Sequence, residues 1–170
     1  MSRFKSKGQP EWERHVEAAL SLFGHRNWIV VADAAYPAQA RPGIRTLLAD
    51  MDHFEVVEKV LGMILASRHV RPRIYLDREL AFVAEQDAPG VEVFRHQLGS
   101  LLKVRNISRV LHEQIIHKLD QSAQLFEILI LKTNMTIPYT SVFFELDCGY
   151  WHPGAEERLR EAMSVCEPSE

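Results

Sequence analysis

The run Trp28-Ile29-Val30-Val31-Ala32 constrains the fold more than any other part of the chain. Continuous β-branched and apolar residues over so short a length are the pattern of a buried strand rather than of a half-exposed one. A buried strand needs packed layers around it, and the sequence on either side supplies them. Pro10 to Phe23 reads as a helix, with Pro10 suited to the first helical position and Glu11 and Glu13 favouring its N-terminal dipole. Trp12, Val16, Ala19, Leu20 and Phe23 fall on one face of it, and Gly24 follows its end. Beyond the run, "YPAQARPG" carries two prolines and a glycine and is a loop, and "IRTLLA" is a second short strand.

The remainder continues the alternation. Asp52 and Glu55 give a capping box, with Asp in place of Ser or Thr, ahead of a helical stripe of Val56, Val57, Val60, Leu61, Ile64 and Leu65. "RIYL" is a third strand, and Asp77 is placed to cap a short helix "RELAFVAEQ" that Pro89-Gly90 breaks. "VEVFRHQLGSLL" and "HEQIIHKLDQSA" read as helices, and "ISRVL" between them as a strand. Two further strands, "LFEILILKT" and "YTSVFFEL", are joined by "NMTIP", a loop short enough for a hairpin. A last helix, about 154–165, carries Leu159, Ala162 and Met163 on one side. The order predicts an α/β layered domain with a mixed β-sheet flanked by helices. One domain spans 1–170, with 1–9 a loose tail and 152–170 a C-terminal extension bearing that helix.

Charge and cysteine usage narrow the function classes. The formal net charge is -3 and the basic residues are scattered, which gives no case for a nucleic-acid or membrane surface. No apolar segment follows the basic "SRFKSK", and no run reaches transmembrane length. Cys148 and Cys166 lack CxxC spacing, so they read as reduced thiols of a cytoplasmic protein rather than a disulfide framework or zinc site.

Several polar fragments carry candidate chemistry, each beside a plainer structural reading. His25 and Asp33 flank the first strand, and that strand places them near its opposite ends. They meet one ligand only if the chain turns back or a second subunit contributes. The plain readings are a turn histidine and a loop-capping aspartate. In "HEQIIHK", His112 and His117 are five apart rather than the four of HExxH, so they point to different faces of a helix and a zincin site is not expected. Tyr139 and Ser141, two apart at the start of a strand, share a face and suit hydrogen bonding to a polyol, or simply form a hairpin shoulder. GxSxG, P-loop and GxGxxG motifs are absent from the sequence.

Taken in order, these fragments resemble the D-ribose pyranase and L-fucose mutarotase family, RbsD/FucU. The likeness is carried by "FGHRNWIVVADAAYP", "HEQIIHKLDQ", "LFEILILKT" and "PYTSVFF", and extends over about 10–150. It implies an isomerase that interconverts cyclic forms of a free monosaccharide by opening and reclosing the hemiacetal, with no metal and no organic cofactor. It also implies a ring-like homo-oligomer, often a decamer, with pockets at subunit contacts. Carried over by position, His25 is the catalytic acid/base, and Asp33, His112, Tyr139 and Ser141 are the substrate-binding residues. Ser141 departs from the asparagine usual in the family, and a hydroxyl cannot copy an amide's paired donor and acceptor. Two other readings stay open: a non-catalytic sugar-binding or regulatory oligomer, and a metal-dependent hydrolase using His25, Asp33, His112 and His117.

Overall fold

The computed structural model describes residues 9–103 and 105–166. The expected tail, 1–9, lies outside these except for Gln9, which donates to Glu17 at 2.7 Å. In chain order the elements are α1 (Glu11–Leu22), β1 (Trp28–Ala32), β2 (Ile44–Leu48), α2 (His53–Ala66), β3 (Val70–Asp77), a 3-10 turn (Arg78–Phe82), α3 (Val91–Leu101), β4 (Ile107–Val110), α4 (His112–Ser122), β5 (Ile128–Lys132), β6 (Val142–Cys148) and α5 (Pro153–Cys166).

The six strands form one mixed sheet in the order β2-β5-β1-β6-β3-β4. β1 is parallel to β5 and β5 to β2, β3 is parallel to β4, and β6 runs antiparallel between β1 and β3. The unbroken apolar character of β1 follows from this central position. Ile29 and Val31 face a core shared with α1, α2 and α3, while Trp28, Val30 and Ala32 face a second core against Ile115 and Leu119 of α4. All five residues are fully buried.

Three local expectations are corrected. β5 and β6 are not a hairpin, because β1 lies between them and takes a partner on each side. The loop length permitted a hairpin, but the most apolar strand gains most by being flanked on both edges. The third strand starts at Val70 rather than Arg73 and includes Pro72. Proline is tolerated there because β4 pairs only with Ile74 to Asp77, so Pro72 has a free edge on its far side. Asp77 makes no side-chain bond to the turn that follows it. The capping aspartate expected before α2 is present, with Asp52 accepting the Glu55 N–H at 3.1 Å. The side of α5 bearing Leu159, Ala162 and Met163 faces outward and joins neither core.

Candidate functional site

The displaced β5–β6 connection shapes the site. β5 ends at Lys132 and β6 begins at Val142, so residues 133–141 must cross over the C-terminal end of β1. In α/β sheets, ligands bind outside the carboxyl ends of the parallel strands. Here the residues that follow β1, the crossing loop and the first residue of α4 border a cavity of about 280 Å³, lined by Asp33, Tyr36, His112, Met135, Ile137 and Tyr139 among others. Its wall is mixed: a carboxylate, an imidazole and two phenols over an apolar floor.

Asp33 is held at the end of β1 from two sides. Oδ1 accepts the Ala35 N–H at 2.9 Å, the local turn that an aspartate favours, and Oδ2 accepts the Ser141 hydroxyl at 3.1 Å. Ser141 is fully buried and does not line the cavity. It reaches the site behind Asp33, not toward a ligand, which corrects the expectation that Ser141 and Tyr139 share a strand face. The alternation cannot apply because the strand starts only at Val142 and because Tyr139 has φ +60.

That left-handed backbone is rare for an aromatic residue and persists only where its neighbours fix it. Thr140 fixes it twice. Its hydroxyl donates to the Ile137 carbonyl at 2.8 Å, and its carbonyl accepts from His53 Nε2 at 2.8 Å. His53, the first residue of α2, is wholly buried, and its Nδ1 lies 2.7 Å from the Thr133 hydroxyl. Burial pulls the pKa of His53 below the ordinary imidazole value, although the bond to Thr140 and the charges of Asp33 and Asp52 oppose it. A neutral ring that donates from Nε2 must accept at Nδ1, so the Thr133 hydroxyl donates to it. His53 thus ties both ends of the crossing loop to α2.

His112 is fixed at backbone and ring. The Glu79 carboxylate accepts its N–H at 3.0 and 3.1 Å, capping α4, and its Nδ1 lies 3.1 Å from Asp77 Oδ2. Tyr139 and Tyr36 meet the ring edge-on, with centroids at 5.6 and 6.5 Å. Asp77 is buried, and its second oxygen, Oδ1, has no partner among the described residues. Burial pushes its carboxyl pKa up to about 6. The imidazole of His112, by charge and hydrogen bond, limits the rise, and Glu79 and Asp33 add to it. Tyr36 donates to Gln39 at 2.8 Å, and its pKa is raised chiefly by burial and then by Asp77, Asp120 and Asp33.

The structure therefore brings Asp33, His112 and Tyr139 together and leaves His25 apart. His25 lies in the turn before β1 and lines different cavities with Arg26, Arg73 and Asp147. The five residues of β1 alone separate the two ends by roughly 16 Å. His117 is exposed on α4. Among the described residues, no group of three or more His, Cys, Asp or Glu side chains is placed to hold a metal ion, and no helix is long and apolar enough to cross a membrane. Three contributors to the site were not foreseen as such. Tyr36 stood in the quoted "DAAYP", Asp77 was read as a cap, and His53 carried no signal beyond its place after Asp52.

A comparison with curated protein sequences finds no match. Among solved structures, Bacillus subtilis RbsD complexed with D-ribose is 17% identical with a TM-score of 0.53, covering 86% of this chain and 98% of that one. The fucose mutarotase from Streptococcus pneumoniae in complex with L-fucose is 17% identical with a TM-score of 0.56, covering 83% and 97%. FucU from Bifidobacterium longum is 14% identical with a TM-score of 0.55, covering 83% and 98%. At these identities the likeness establishes the mixed-sheet fold. The sequence profile of the RbsD / FucU transport protein family matches residues 8–148, and the chain belongs to that family.

Proposed function

We propose that the chain is a monosaccharide ring-form isomerase, acting by acid–base opening and reclosure of a cyclic hemiacetal. The observation that carries this is the convergence of Asp33, His112 and Tyr139 on one small cavity. A carboxylate that only accepts, a phenol that donates and accepts, and an imidazole together match the alternating hydroxyls of a sugar. The cavity is smaller than typical drug-sized pockets, as suits a single ring. Two family relatives of the same fold are described as bound to D-ribose and L-fucose, which supports the substrate class.

Ring opening needs a base for the anomeric hydroxyl and an acid for the ring oxygen. In this reading His25 is one of them, delivered by a neighbouring protomer of a ring-like oligomer, since within one protomer it lies at the other end of β1 from Asp33. That displacement also favours a second reading, a sugar-binding oligomer without catalysis, if no neighbour supplies the imidazole. Exchange NMR on a panel of aldoses separates the two. Accelerated anomer or ring-form exchange that His25→Ala abolishes, with the fold intact, supports the isomerase. Ligand-dependent melting without exchange supports the binding protein.

A further inference from the structure

We propose that His112, its ring held by the buried Asp77, is the acid–base group that each protomer supplies to its own cavity, with Asp77 as its positioning residue. The inference rests on the isomerase reading and assigns the second of the two groups that ring opening requires.

The geometry carries it. The contact to Asp77 Oδ2 uses Nδ1, so the neutral ring holds its proton there and Nε2 keeps a lone pair. Nε2 makes no hydrogen bond among the described residues, and His112 lines the cavity with its side chain 24% exposed. Asp77 and the two edge-on tyrosines leave the ring little freedom to turn. A pair kept for stability alone would satisfy both carboxylate oxygens, yet Asp77 Oδ1 is buried without a partner. A buried carboxylate that holds one imidazole nitrogen while the other faces a cleft has the arrangement of an activated base.

In the step this predicts, Nε2 takes the proton of the anomeric hydroxyl. The O–H electron pair becomes the second bond of the carbonyl, and the bond from the anomeric carbon to the ring oxygen breaks. That oxygen keeps the bond pair and takes a proton from the second acid, the His25 of a neighbouring protomer in the reading above. Reclosure on the other face, or through another hydroxyl, returns both protons, so nothing is oxidised or reduced. The imidazolium formed in between lies against the Asp77 carboxylate.

The pH dependence follows from the groups around the pair. Glu79 and Asp33 add negative charge near Asp77, Tyr36 stays protonated above it, and Asp120 is linked to Tyr36 through Gln39. Arg95 and Arg109 line the small cavity behind Asp77. With Asp77 titrating at about 6, exchange should rise as pH passes upward through that value and the carboxylate forms.

The test uses the full-length wild type, Asp77→Asn and His112→Gln, with the aldose that the wild type turns over. Exchange should fall roughly 10²–10⁴-fold in His112→Gln and about tenfold or more in Asp77→Asn at pH 8. Sugar dissociation constants in Asp77→Asn should stay near wild type, and the pH at which the rate rises should move from that of the wild type. If both variants keep the wild-type rate and pH profile, the His112 assignment is overturned while the isomerase reading stands. If the wild type accelerates no aldose, the isomerase reading falls and the assignment falls with it.

Discussion

Replacing Asp77 by asparagine should stabilise the protein, and the gain should depend on pH in a defined direction. The carboxyl is buried, one of its oxygens has no partner, and its pKa is pushed up from 3.8 to about 6. A folded-state pKa above the unfolded one means that the native state favours the protonated form. The stability linked to Asp77 is therefore fully present below about pH 4 and is lost as pH rises through about 6. A rise from 3.8 to about 6 corresponds to about 3 kcal/mol lost by neutral pH. The amide keeps an oxygen to accept His112 Nδ1–H and never ionises, so Asp77→Asn escapes that loss. Urea unfolding of both proteins at pH 4 to 8, at one protein concentration, measures the difference, and the carboxylates remote from Asp77 cancel between them. The advantage of the variant should grow by about 3 kcal/mol across that interval, most of it between pH 4 and 7. A constant difference across the range would refute the claim that burial opposes ionisation at this position. A variant both steadier and slower would mark Asp77 as a residue kept at a cost to stability.

Other perturbations address the rest of the site. His53→Ala removes the donor to the Thr140 carbonyl and should cost about 1–3 kcal/mol in urea unfolding, with faster amide exchange over 133–141. Because Tyr139 has a left-handed backbone, Tyr139→Gly should be more stable than Tyr139→Ala by about 1 kcal/mol by thermal unfolding, the reverse of the order in a helix or strand. Tyr139→Phe should weaken sugar binding by roughly 0.5–1.5 kcal/mol, read by titration calorimetry. If neighbouring protomers share cavities, His25→Ala and Asp33→Asn, each inactive alone, should regain exchange when unfolded together and refolded as mixed oligomers; no recovery argues that the two residues do not serve one cavity.

Much of the layering was legible because it is written locally. The unbroken apolar β1, the stripe from Val56 to Ile64 and the Asp52 cap each decide their own element within a few residues. What failed was whatever depends on a distant partner. The hairpin expectation came from loop length, and nothing near "NMTIP" says that a strand a hundred residues earlier will fit between its flanks. Asp77 looked like a cap since an aspartate before a helical segment usually is one, and its partner His112 lies 35 positions away. Ser141 looked like a ligand contact until the left-handed Tyr139 turned it behind Asp33, 108 positions distant. Asp33, His112 and Tyr139 are named by resemblance alone, and that they line one cavity shows only in three dimensions.

The wedging of β1 between β5 and β6 has a consequence for how the protein is made. Trp28 pairs with Ile128 and with Glu145, so the centre of the sheet closes only when the start and finish of the chain come together. Such separations slow folding, and a growing polypeptide must hold its most water-averse stretch unpaired until β5 and β6 have left the ribosome. The candidate cleft then becomes the last thing assembled, and no fragment lacking β5 and β6 can be expected to form it.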